Sequence, residues 1–149
     1  MKALVQRVKY ARVTINGKET RETGPGLLIL FGCAEDDSID LCDKLAQKTA
    51  MLRIFDDADG KLNLSALDLG LSAMVVSQFT LLADTKKGNR PSFIAAAKPP
   101  LSVDAYEKYV SILRTYPFKE VKTGEFGAEM QVEFCNDGPV TIMLDTKEW

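Results

Sequence analysis

Residues Met74 to Asp84 read MVVSQFTLLAD. Met74, Val75 and Val76 lead into this run and Leu81 and Leu82 lead out, so β-branched and apolar residues predict a buried strand over 72–83. Ser77, Gln78, Phe79 and Thr80 interrupt it. Alternation along a strand puts Gln78 and Thr80 on one face and Ser77 and Phe79 on the other. A buried amide and two hydroxyls need hydrogen-bond partners. Two readings follow: the polar groups bond neighbouring strands, or the strand carries a site.

Outward from this run, Leu27 to Ala34 is continuously apolar and predicts a central strand. Residues 2–15 alternate loosely and predict a long strand with a bulge near Lys9–Arg12. Asn16-Gly17 is a strong hairpin signal, returning the chain along Lys18 to Thr23. Asp36, Asp37 and Ser38 offer cap chemistry to a helix over 38–52, with Ile39, Cys42, Leu45, Ala46 and Thr49 at helical spacing. Arg53-Ile54-Phe55 reads as a short strand and Asp59-Gly60 as a tight turn. Ser102 is placed to cap a second helix, with Val103, Tyr106, Val110 and Leu113 on one face, stopped by Pro117. Strands are expected at 121–124, 128–135 and 140–145, the last two joined through Asn136-Asp137-Gly138-Pro139. The pattern predicts one α+β domain over 1–149: mainly antiparallel β-sheets forming a barrel-like core, with two helices.

With 149 residues, 46% of them hydrophobic, the chain can bury a substantial core. A net charge of −2 argues against a globally basic nucleic-acid binder but allows a local patch. No signal peptide or membrane span is visible, so the expected compartment is the cytoplasm. Cys33, Cys42 and Cys135 show no metal spacing. There is no histidine at all, which removes Ser-His-Asp and Cys-His catalysis and every histidine metal site.

A second unusual stretch is Asn136 to Thr141, NDGPVT. Composition favours a hairpin turn. Yet Gly138 has no side chain and Pro139 no backbone donor, so the pair offers bare carbonyls and a rigid ring to a close contact.

Ser77-Gln78-Phe79-Thr80-Leu81 and Asn136-Asp137-Gly138-Pro139-Val140-Thr141 together resemble the two signature motifs of the D-aminoacyl-tRNA deacylase family. The likeness includes Gln6-Arg7-Val8, Arg53-Ile54-Phe55, Gly60-Lys61-Leu62-Asn63, Ala83-Asp84, Arg90-Pro91-Ser92-Phe93, Thr123 to Ala128, and Met130-Gln131-Val132. It implies an enzyme that hydrolyses the ester of D-aminoacyl-tRNA, removes glycine mischarged on tRNA, and works as a homodimer with sites at the interface. It further implies a cis Gly138-Pro139 bond reaching into the partner's pocket and excluding L-amino acids. Arg7 would hold that motif, and Phe126 and Met130 would bind substrate. No cofactor and no metal are implied. The family is thought to activate water through the terminal ribose 2′-hydroxyl.

An aminoacyl ester is already activated, so the main demand is oxyanion stabilisation, where one donor is worth about 10²–10³ in rate. Backbone amides around Phe79 and Thr80 can meet it. No neighbouring base is evident for a Thr80 nucleophile, so Thr80 is expected to position groups. Lys86, Lys87 and Arg90 are the expected contacts to tRNA phosphates. Two competing readings are a non-catalytic RNA-binding module and a metal-dependent hydrolase using Asp56, Asp57 and Asp59. The first lacks a basic or aromatic stripe, and the second fails calcium-loop spacing.

Overall fold

The computed structural model describes all residues, 1–149. Its strands are β1 (Lys2–Ile15), β2 (Glu19–Thr23), β3 (Gly26–Gly32), β4 (Phe55–Asp56), β5 (Leu62–Leu64), β6 (Ser72–Ser77), β7 (Val121–Thr123) and β8 (Met130–Asp145); the helices are α1 (Leu41–Ala50) and α2 (Leu101–Leu113).

β1 organises the sheet. One of its edges pairs antiparallel with β3 over Lys2 to Val8 and with β2 over Ala11 to Ile15. Its other edge carries β8, antiparallel along the whole length. β6 and β7 then add in parallel to β3, giving the order β2-β1-β3-β6-β7. The sheet curls nearly into a barrel. Side chains cross the seam between β2 and β7: Arg21 Nη1 donates to the carbonyls of Thr123 at 2.9 Å and Gly124 at 3.1 Å, and Lys122 Nζ donates to that of Glu22 at 2.7 Å.

Alternation along the strands builds two cores. Ala3, Val5, Leu27, Ile29, Phe31, Ala73 and Val75 face the two helices, meeting Cys42, Leu45, Tyr106, Tyr109 and Leu113. Val8, Ala11, Val13, Ile15, Leu28, Met74 and Val76 face into the curl, where Met130 and Val132 of β8 pack on them. The Tyr109 hydroxyl donates to Thr49 Oγ1 at 2.7 Å, locking α2 to α1.

The hairpin expectation holds: Asn16 and Gly17 both take positive φ, 51° and 65°. The expected bulge in β1 is also present, as the register shift between Val8 and Ala11, while the shift between Gln6 and Val8 places its extra residues on β8.

Five expectations differ from the structure. First, the strand over 72–83 ends at Ser77, and Phe79–Leu82 forms a 3-10 turn. β3 ends at Gly32, the last pair being Phe31 with Ser77, so beyond it the backbone has no ladder partner. It satisfies itself locally instead, with Leu81 N–H donating to Gln78 O and Ala83 N–H to Thr80 O. Second, Asn136–Pro139 is no hairpin turn; β8 is one continuous strand that swells there. Third, Ser102 is not a cap. Pro100 holds the cap position, and Ser102 lies inside α2 with a buried hydroxyl that has no partner. Fourth, the acidic run does not cap α1. Asp37 is drawn to the Met1 ammonium at 2.6 Å and to the Ala34 amide at 2.7 Å, and α1 starts only at Leu41. Fifth, the short strand expected at Arg53–Phe55 is Phe55–Asp56, paired with β5. The Asp57 carboxylate closes the turn between them by accepting the amides of Asp59 and Lys61.

Candidate active site

A pocket of about 410 Å³ opens where β6 gives way to the 3-10 turn. That size suits a small ligand. One side is Val76, Ser77, Gln78 and Phe79; another is Phe126, Gly127, Ala128, Met130 and Val132; Phe31, Gly32, Cys33, Ala97, Lys98, Pro99 and Ser102 complete it. The Phe126 ring is propped against Tyr106, their centroids 5.8 Å apart. Tyr106 in turn donates its hydroxyl to Val75 O at 3.0 Å, which anchors this wall to the sheet.

The turn at Phe79–Leu82 has a chemical consequence. The first amides of such a turn have no acceptor within it. Gln78 N–H is used by Phe31 O and Leu81 N–H by Gln78 O, which leaves the amides of Phe79 and Thr80 unpartnered. The Gln78 side-chain amide donates to Thr80 Oγ1, engaging the hydroxyl that sequence reading singled out. Close packing holds the turn down: a Cβ on Gly32 would lie 2.6 Å from Leu82 Cδ2 and 2.9 Å from Gln78 O, so only glycine fits below it. Burial pushes the Cys33 thiol up to about 11, aided by Asp37, so this pocket cysteine stays neutral at physiological pH.

The other motif sits elsewhere. Gly138 and Pro139 are exposed, their peptide bond is cis, and neither lines the pocket of its own chain. They are firmly tied from behind. Asn136 Oδ1 accepts the Val140 amide at 2.8 Å, while its Nδ2 is shared among Gln6 Oε1, Val140 O and Thr141 Oγ1. Arg7, only 9% exposed, donates Nε to Asp137 O at 2.7 Å and Nη1 to Ile54 O at 2.9 Å. Its charge is flanked by Asp56 at 3.7 Å and Asp137 at 3.8 Å. Gly138 has φ of 150°, and a Cβ there would sit 2.7 Å from Val140 Cγ2.

A family profile described as D-Tyr-tRNA(Tyr) deacylase matches residues 4–145. The chain belongs to the D-aminoacyl-tRNA deacylase family. A D-aminoacyl-tRNA deacylase of Fusobacterium nucleatum is 50% identical over 148 residues, covering 99% of this chain and 97% of the relative. One of Bacteroides thetaiotaomicron is 52% identical over 147 residues, covering 99% and 98%. A solved structure described as a c-Myc DNA unwinding element binding protein superposes with a TM-score of 0.91 at 39% identity, covering 98% of this chain and 99% of that one. A second, of a probable eukaryotic D-amino acid tRNA deacylase, reaches 0.84 at 13% identity over 96% and 97%, and so shares the fold. The deacylase family is one of ester hydrolases, and this chain is an enzyme of that kind.

Of the residues that sequence reading nominated, the deacylase fold gathers Ser77, Gln78, Phe79, Phe126 and Met130 around one pocket. Thr80 is exposed just outside it. Gly138 and Pro139 form a separate projection, with Arg7 buried behind it. Lys86, Lys87 and Arg90 lie on the exposed loop that follows the 3-10 turn, closed by the bridge between Asp84 and Ser92. Sequence reading missed Gly32, Lys98 and Pro99 as lining. A glycine ending an otherwise greasy strand was an available signal of close approach. Lys98 carried no signal, because its role in the lining depends on how the chain before α2 packs.

Proposed function

We propose that the chain hydrolyses the ester of D-aminoacyl-tRNA, and of glycine mischarged on tRNA, as a homodimer whose Gly138-Pro139 projection enters the partner's pocket. The observation that carries this reading is the pair of unpartnered amides at Phe79 and Thr80 on the pocket edge. They suit the oxygen of an ester carbonyl as it gains charge. In the step envisaged, water adds to the carbonyl carbon and its oxygen becomes an oxyanion held by those two amides. The intermediate collapses by breaking the carbon–oxygen bond to the ribose. The ribose oxygen takes the proton that the attacking water gave up, releasing a free amino acid and tRNA. The terminal ribose 2′-hydroxyl orients the attacking water. Ser77, Gln78, Phe79 and Thr80 thus act through backbone and fixed geometry, with Phe126 and Met130 flanking the bound group. No cofactor takes part.

Chirality is set by exclusion. The exposed carbonyls at Gly138-Pro139 would bind the α-amino group, leaving room for a hydrogen but not for an L side chain. Glycine passes the same test. Arg7 and Asn136 hold the projection rigid enough for such a clash to cost energy rather than yield. Lys86, Lys87 and Arg90 would meet acceptor-end phosphates. No helix of the chain is long and apolar enough to cross a membrane, and the reading places the enzyme in the cytoplasm with the translation machinery. The test is direct: incubate the protein with D-tyrosyl-tRNA and L-tyrosyl-tRNA and follow ester loss. Rapid loss of the D ester with the L ester spared is expected. Equal rates would sink the exclusion mechanism.

A further inference from the structure

Features at the pocket's rim remain unused by the chemistry above. Phe79 lines the pocket yet leaves 57% of its surface exposed. Phe93 braces it edge-on, the ring centroids 5.1 Å apart at an interplanar angle of 77°. Ile94, next along, is 82% exposed. Lys98 lines the same pocket, is exposed, and takes part in none of the chain's ion pairs. Apolar ring surface and an uncompensated ammonium lining one pocket are the elements by which proteins hold a single nucleic-acid strand: stacking for bases, cations for the backbone.

We propose that this rim is the track for the nucleotide preceding the terminal nucleoside, with Lys98 contacting the intervening phosphate and the Phe79 ring stacking the preceding base. The proposal rests on the terminal nucleoside and its ester occupying the pocket. The occupant is single-stranded RNA because charge and surface match it together. A polyanion satisfies Lys98, and a flat base covers an aromatic face that water wets poorly. The brace from Phe93 keeps that face in one orientation before the strand arrives, so little side-chain freedom is lost on binding. Stacking is tolerant of base identity, which suits an enzyme that meets many tRNAs through a common single-stranded end. Phe79 then has two roles on opposite sides of one residue: its amide faces the reacting carbonyl and its ring faces the incoming strand.

The experiment uses non-hydrolysable amide analogues in three lengths: 3′-(D-tyrosylamino)-3′-deoxyadenosine, its 5′-monophosphate, and the same compound extended by a 5′-cytidylyl residue. Calorimetry gives each affinity for the wild type, Lys98→Gln and Phe79→Leu, with thermal melts confirming the fold and Phe79→Met as a substitute for any variant that melts early. For the wild type, roughly tenfold tighter binding is expected from the added phosphate and again from the added base. Lys98→Gln should lose the phosphate increment and flatten the dependence of log affinity on log salt by about 0.7. Phe79→Leu should keep the phosphate increment and lose the base increment. If the nucleoside binds but wild-type affinity does not grow with length, the track is overturned while the pocket reading stands. Increments that survive both substitutions overturn it as well. So does a fall from dimer to monomer on sedimentation in either variant with increments unchanged, because the rim is then covered by a second copy. If the nucleoside itself fails to bind, the pocket reading falls first and the track with it.

Discussion

The turn at Ser77–Leu82 and the swelling at Asn136–Val140 are both polar interruptions of otherwise apolar strands, yet they are built in opposite ways. The first is concave: it leaves two backbone amides without partners beside a cavity and sits over Gly32, where no side chain fits. The second is convex: Arg7 and Asn136 hold its backbone from behind and its outer surface, Gly138-Pro139, is bare. A receptive surface can leave donors open because substrate or water will fill them. A surface meant to exclude must instead be stiff, since a wall that moves costs the wrong substrate nothing. The hydrogen-bond economy of each motif therefore matches the task proposed for it.

That contrast can be broken most severely at Gly138. In Gly138→Ala the new Cβ would lie 2.7 Å from Val140 Cγ2 and 2.8 Å from Val140 N, on a backbone with φ of 150°. The projection must shift, and D-aminoacyl-tRNA hydrolysis should fall by about 10²-fold, the usual result of misplacement on the ångström scale. Single-turnover rates on D and L esters will check it, and wild-type rates would show that the projection does not act. Next comes Arg7→Lys. It removes the fork that reaches both Ile54 O and Asp137 O and should cost roughly 1–3 kcal/mol of stability. A urea midpoint unchanged from wild type would contradict the claim that the projection is braced.

A smaller effect is expected on the concave side. Thr80→Ala removes a hydroxyl that is bonded to Gln78 and leaves the turn's amides in place. The single-turnover rate should stay within about tenfold of wild type, less than the loss of one oxyanion donor. Complete loss with the fold intact would make Thr80 a nucleophile. The smallest effect belongs to Cys33→Ala, expected to keep activity within about twofold, since its neutral thiol offers no nucleophile. The same chemistry predicts an alkaline limit on stability. Burial holds both Cys33 and Cys42 at about 11, so the folded state keeps protons that the unfolded chain gives up at the ordinary thiol value. Stability is therefore complete below that value and declines as pH rises from there towards 11. Melting curves between neutral and strongly alkaline pH will show the decline or refute it.

Much of this was written into the chain locally. Asn16-Gly17, the apolar run Leu27–Ala34 and the helical spacing from Cys42 to Thr49 depend on near neighbours, and each formed the element expected. The second helix buries Tyr109 and Ala105 beside the residues its spacing pointed to. What was illegible depended on where a distant strand stops. Nothing within Met74–Asp84 says that β3 will end at Gly32 and withdraw the ladder beyond Gln78. Likewise, Asn136-Asp137-Gly138-Pro139 has the composition of a turn; only β1, more than a hundred residues away in sequence, makes it a swelling in a straight strand. Ser102 misled for a related reason. The Pro99-Pro100 pair opens the helix before the serine can cap it. Ser77, Gln78, Phe79, Phe126 and Met130, nominated through the family motifs, line the pocket, while its third side, contributed by Gly32, Lys98 and Pro99, emerged only from packing.

The continuity of β8 bears on how chains of this fold can change length. A surface loop accepts an inserted residue with little consequence, because its ends are all that the fold constrains. Here, between Gln6 and Val8 of β1 the facing strand runs from Thr141 to Asn136; the two strands pair strictly from Lys2 to Gln6 on one side and, past the bulge after Val8, from Ala11 to Ile15 on the other. One residue inserted beyond Pro139 would turn Val140, Ile142 and Leu144, which pack on the main core, out towards solvent, and carry Thr141 and Met143 inward. The swelling is thus a counted length rather than a tolerant one. Insertions and deletions should accumulate in the turn at Asp57–Gly60 and in the loop from Thr85 to Arg90, and be absent between Met130 and Asp145.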